Sequence, residues 1–137
     1  MREIKLRGFA VEEMVGSQWI YGTGVHTTKF TKEYAEEVGK PGETFIFTES
    51  GWIEVHPESV GEYTGLKDKN GKEIYEGDIV RIGDYLAYEV TINEFTQMHV
   101  IDNEMGMEEL WKNNKVCKII GNIYENPTLL EESLYES

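Results

Sequence analysis

The chain predicts a mainly β protein: a small antiparallel sheet rolled toward a partly closed barrel, with one to three short helices. Three observations carry this. Short runs of β-branched and aromatic residues recur at roughly 8–12-residue spacing, separated by clusters of Gly, Pro, Asn and Asp. Asn70-Gly71 sits between the β-formers Tyr63, Leu66, Ile74 and Tyr75, which reads as a hairpin with a type I′ turn and positive φ at both central residues. Then Glu76-Gly77-Asp78 turns the chain into Ile79–Ile82, with Gly77 bending it into a new strand direction.

The elements follow in order. Glu3–Phe9 alternates, with Ile4 and Leu6 on one side and Lys5 and Arg7 on the other, a half-exposed strand. Val11–Val15 continues it past a bend at Gly8. Gln18–Gly22 with Gly24-Val25 is a strand loosened by two glycines. Thr31–Val38 is a helix: Thr31 caps it, Glu33 suits its first turn, and Gly39 with Pro41 ends it. Thr44–Thr48 and Trp52–Val55 pair about Glu49-Ser50-Gly51, and His56-Pro57 leads into the central hairpin. At the hairpin tip, Lys67, Asp68, Lys69, Lys72 and Glu73 read as solvated charge. Ala87–Asn93 and Gln97–Ile101 are strands, the first with Tyr88, Val90 and Ile92 on one face. Glu104–Lys112 reads as a short helix bearing Met107, Leu110 and Trp111, weakened by about 1 kcal/mol at Gly106. Val116–Tyr124 is the last strand, and Asn126-Pro127 opens a C-terminal helix through Leu129 and Leu130, with a frayed acidic tail beyond. Gly77-Asp78-Ile79-Val80 matches a pattern frequent at a strand start in SH3-like barrels, and by that analogy the barrel is expected to be SH3-like.

With 137 residues, the chain is expected to be one domain over 1–137, or two small β subdomains sharing a core. No apolar run approaches the roughly 18 residues of a membrane span. The opening MREIKLRGF is neither a signal nor a transit peptide, so a cytoplasmic protein is expected. The single Cys117 excludes an internal disulfide and reads as a buried core thiol. Acids outnumber bases by 26 to 13, which argues against direct binding of nucleic acid, since phosphate contacts need a clustered basic face. Between Ile82 and Trp111 stand Asp84, Glu89, Glu94, Asp102, Glu104, Glu108 and Glu109 without one Lys or Arg. Such a flank suits a basic partner or imitates phosphates. The plainer reading, a solvated face that keeps the protein soluble, carries more weight.

No motif assigns a catalytic residue, a cofactor or a metal. His26, His56 and His99 lack the pair spacing of a metal site, and no G-x-S-x-G elbow, Walker loop or Cys-x-x-Cys is present. Asp68-x-Asn70-Gly71 begins like a calcium loop, but glycine comes at the fourth position instead of the sixth. Glu76 and Asp78 are the carboxylates of most interest: beside a histidine in a concave pocket they would make a small enzyme, and capping of turn N–H groups explains them at least as well. Trp19, Tyr21, Trp52, Tyr63, Tyr75, Tyr85, Tyr88 and Trp111 line either a groove or, the preferred reading, the core.

The stretch VGEYTGLKDKNGKEIYEGDIV closely resembles the signature of the YopX family of small phage and prophage proteins, and MREIKLRG and IIGNIYENPTLL match that family's two ends. Together they cover somewhat under a third of the chain. The resemblance implies a mainly β fold carried by bacteriophages of low-GC Gram-positive bacteria and their prophages, and it brings no catalytic or ligand residue with it. Glu62 departs from the Gln common there. Gly61, Gly65, Gly71 and Gly77 all fall at expected turns or bends, so the signature itself reads as structural. Thr31–Gly39 and Tyr85–Asn114 follow no family pattern, which places partner specificity there. Glu104, Glu108, Glu109 and Trp111 are the candidate interaction surface. The reading is a non-enzymatic accessory protein binding a phage or host protein. The alternatives are a nucleic-acid-mimicking inhibitor, with carboxylates in rows on one face, and a small enzyme using Glu76 and Asp78.

Overall fold

The computed structural model describes residues 4–84 and 86–131. Tyr85, the opening three residues and the acidic tail after Glu131 lie outside the described residues. The chain divides into two compact units at Glu62/Tyr63, and each is built of short antiparallel strands.

In the first unit, β1 (Leu6–Phe9) pairs with β2 (Trp19–Gly22). β3 (Gly24–Lys29), β4 (Gly42–Thr48) and β5 (Gly51–Val55) form a separate three-stranded meander. Gly8 lets β1 approach this sheet, since a Cβ there would lie 2.8 Å from Ile46 Cδ1 and 2.9 Å from Val55 Cβ. The expected continuation over Val11–Val15 does not form. Beyond the single bridge Ala10–Val55 the chain leaves the sheet, and Val11 and Val15 are exposed. Helix α1 (Lys32–Val38) obeys its sequence signals: Thr31 Oγ1 accepts the Tyr34 N–H at 3.2 Å, and Gly39 closes the helix in the left-handed region.

β6 (Gly61–Lys67) begins in the first unit, where Gly61 and Glu62 pair with β1, and in the second unit it runs on to pair with β7 (Glu73–Tyr75). The larger sheet has the order β11-β10-β9-β8-β12. Its members are β8 (Asp78–Ile82), β9 (Leu86–Asn93), β10 (Met98–Asn103), β11 (Gly106–Glu109) and β12 (Cys117–Asn122). Ile74, Val80, Tyr88, Val90, Ile101, Leu110 and Cys117 form its core. The barrel expected from the sequence is not closed. β11 runs into the one-turn helix α2 (Leu110–Asn113), and the chain then returns beside β8, so the two outer strands do not pair.

The Glu104–Lys112 segment is therefore half strand and half helix. Gly106, at φ 146°, cannot continue a helix, and alternation places Glu109 opposite Val100 and Glu108 opposite Ile101. Asn126 does not cap a helix either. Its Oδ1 accepts the Asn122 N–H at 3.2 Å, and helical residues begin only at Leu129.

The hairpin exists, but its turn is not type I′. Among the described residues only Gln97 has positive φ apart from glycines, so Asn70 does not. Gly71 N–H reaches Asp68 O at 3.0 Å, Asp68 N–H reaches Lys72 O at 2.9 Å, and Gly71 sits at φ 80°. This is a type I turn closed by a glycine bulge, the three-residue alternative for the same sequence. Gly71→Val is expected to cost about 1–2 kcal/mol, the penalty of a β-branched residue in the left-handed region. Urea unfolding measures it, and an unchanged midpoint would refute this geometry.

Asp68 is the larger surprise at this tip, because it is buried rather than solvated. Its Oδ1 accepts the Asn70 and Lys72 N–H groups, each at 2.9 Å, and its Oδ2 accepts the Ile119 N–H of β12 at 3.0 Å. Burial alone would push the carboxyl up. The three N–H bonds, with the Lys72 charge, outweigh that and hold it below its ordinary value. Lys69 N–H bonds Cys117 O at 2.9 Å, so the tip is stitched to β12 at two points.

Candidate functional site

Glu104, Glu108, Glu109 and Trp111 fall along the outer strand β11 and its two ends. Asn103 ends β10 by accepting the Met105 N–H on Oδ1 at 2.8 Å. This Asx turn leaves Glu104 exposed and Met105 78% exposed. Alternation then points Glu108 and Glu109 to opposite faces. Glu108 is exposed, whereas Glu109 is half-buried and lies 3.6 Å from Lys112 Nζ. That ammonium also stands 5.3 Å from the centroid of the Trp111 ring. Trp111 stays 53% exposed while its neighbour Leu110 fills the core. The edge thus carries Met107 and Glu108 on about 13 Å of strand, with Glu104 before it and Trp111 after it, and draws Glu109 into a local ion pair. Behind the edge, Glu89 and Asp102 face one another across β9 and β10. Burial pushes the Glu89 carboxyl up and the Asp102 charge adds to it, a like-charged pair that opposes its own strand pairing.

The Glu76-Gly77 turn separates the two carboxylates that the sequence brought forward. Gly77, at φ 92°, bonds through N–H to Val90 O at 2.9 Å and through its carbonyl to Ile123 N–H at 2.8 Å. Asp78 is 2% exposed, and its Oδ2 accepts the Tyr75 N–H at 2.8 Å. Glu76 has a different partner, with Oε2 at 2.8 Å from His99 Nε2. The His99 side chain is 8% exposed and that of Glu76 29%. The structure therefore unites Glu76 with a histidine and commits Asp78 to the turn. Sequence spacing gave no sign of the His99 contact, because it joins residues from β10 and a turn 23 positions earlier.

His26 and His56 belong to the first unit. His26 lies 6.1 Å from Trp52 and shares with Phe45 and Trp52 an open apolar cleft of about 430 Å³, while His56 lies 6.4 Å from the Phe9 ring. Among the described residues, no three His, Cys, Asp or Glu side chains form a group able to hold a metal ion. Cys117 is fully buried, as its surroundings in the sequence suggest. Burial pushes its thiol up to about 11, with the charges of Asp68 and Asp78 adding to the effect, so it is a poor nucleophile. Of the aromatics, Tyr63, Tyr75 and Tyr88 are core, whereas Tyr21, Trp52 and Trp111 are exposed. No helix among the described residues is long and apolar enough to cross a membrane.

A search of curated proteins finds no match. Among solved structures, the crystal structure of protein EF1440 from Enterococcus faecalis is similar, with 21% identity, a TM-score of 0.47, and coverage of 93% of this chain and 98% of that one. The family model described as YopX protein matches residues 5–131, running through both units. The chain belongs to the YopX family.

Proposed function

We propose that this protein is a non-enzymatic accessory protein of a bacteriophage or prophage, acting in the host cytoplasm, and that β11 binds a basic, extended segment of a phage or host protein. The observation that carries this reading is the position of β11. Among the described residues it is paired on one side only, and an open edge can accept one more strand through its main-chain groups. Exposed Met105, Met107 and Trp111 offer apolar contact there. Glu104 and Glu108 supply charge in a stretch without any Lys or Arg. The finer SH3-like architecture is part of the proposal. It is supported by a four-strand meander, β8 to β11, whose fifth strand β12 returns beside the first after the single turn of α2.

The edge reading is favoured over mimicry of nucleic acid, because Glu108 and Glu109 diverge, Glu109 meets Lys112, and Glu89 and Asp102 are half-buried. The Glu76–His99 pair supports an enzymatic reading, but Asp78 is engaged by the turn. The test is affinity capture from infected host cells with the wild-type chain and with Glu104→Lys/Glu108→Lys. Glu109 is left unchanged because its reversal would set it against Lys112. A partner with a basic segment should be captured by wild type and weakened about tenfold or more in the double variant, most of all at low salt. Equal capture by both chains would remove β11 from the interface.

A further inference from the structure

We infer that the cleft between the hairpin tip and the β8–β12 pair binds a phosphate-bearing small ligand. In a chain with twice as many acids as bases, this cleft of about 260 Å³ is lined by Lys69, Arg81 and Lys118, with Gly83, Asp84 and Ile120. Two of the cations stand directly opposite one another, Lys118 on β12 against Arg81 on β8. Like charges in that register oppose the pairing unless an anion lies between them. Lys69 is delivered by the stitched tip, where its N–H bonds Cys117 O, one residue before Lys118. Arg81 lines the cleft with its guanidinium. Its Nε is closed off from solvent and has no hydrogen-bond partner among the described residues, so an oxyanion in the cleft is met by the terminal nitrogens. A guanidinium and two ammonium groups around a small cleft are the donor set of a phosphate dianion.

Two carboxylates bear on the site. Asp84 is exposed on the rim and would repel the ligand, whereas the oxygens of Asp68 are turned to the N–H groups of Asn70, Lys72 and Ile119. Three cations in an otherwise acidic molecule suit one or two phosphate groups and not a duplex backbone, whose binding needs an extended basic face.

The experiment is an amide NMR titration of the full chain with inorganic phosphate, pyrophosphate, adenosine monophosphate, adenosine and duplex DNA. The expected result is saturable shifts at Lys69, Arg81–Asp84 and Lys118–Ile120, with a Kd at or below about 1 mM at low salt. Adenosine and DNA should leave these signals in place. Tighter binding of adenosine monophosphate than of inorganic phosphate would identify a phosphate ester as the ligand, and equal binding a free phosphate. Lys118→Ala should weaken pyrophosphate about tenfold, and Asp84→Asn should tighten it about threefold. Both positions are exposed, and a gain of affinity cannot come from misfolding. Absence of saturable shifts, shifts indifferent to both substitutions, or a preference for DNA would each overturn the inference.

Discussion

Asp68→Ala is expected to lower stability at pH 7 by about 3–5 kcal/mol, from the loss of three charge-assisted hydrogen bonds at a typical 1.5–3 kcal/mol each. The sum is not reached because the Asn70 and Lys72 N–H groups at the tip can turn to water, while the Ile119 N–H of β12 loses its acceptor in a part-buried place. In a chain of this size that is roughly 10–20 °C in the midpoint of thermal unfolding. Asp68→Asn should recover less than half, because an amide can accept from the tip with its oxygen but presents its NH₂ to the Ile119 N–H. The pH dependence has a definite sign. The folded-state pKa of Asp68 lies below the ordinary value of 3.8, so its contribution is complete above the unfolded pKa and disappears as pH falls through the folded one. Wild type and Asp68→Ala should therefore converge in acid. Parallel stability curves from pH 7 to pH 3, or a midpoint shift under about 3 °C, would mean that the tip is not anchored as described.

That anchor shows where the sequence was legible and where it was not. Local signals with a local partner came through. Thr31 and Gly39 bound α1, Asn70-Gly71 marks the hairpin, and Gly77 turns the chain into β8. Gly65, Gly71 and Gly77 all have positive φ, which gives the family signature a backbone reason, though Gly61 does not share it. Signals decided by a distant partner were misread. Asp68 looked like one more charge on a solvated tip, yet its second oxygen is claimed by Ile119, 51 residues away. Its Asp-x-Asn-Gly context was a usable sign of an Asx turn. Glu104–Lys112 has helical composition, and pairing with β10 overrode that propensity for Gly106–Glu109. The candidate surface was found as a patch of composition, and only the register revealed that Glu109 leaves it. The basic cleft had no signal at all, because Lys69, Arg81 and Lys118 meet from three separate stretches.

Asp78→Ala is expected to cost about 2–3 kcal/mol, because it strands the buried Tyr75 N–H and removes a carboxylate from a site that excludes water. Glu76→Gln should cost less than about 1 kcal/mol, since its partly exposed side chain keeps an oxygen and an amide to offer His99. The contrast separates scaffold from site. If Asp78 is structural, its loss lowers the unfolding midpoint, and binding by the fraction that remains folded is unchanged. The Glu76–His99 pair should also survive, because it shares no atom with the Tyr75–Asp78 bond; the signals of the His99 ring report on it. If instead Asp78→Ala leaves the melting curve in place and abolishes an activity, the turn is a functional site. The enzymatic reading, with Glu76 and His99 beside Asp78, would then displace the one proposed here.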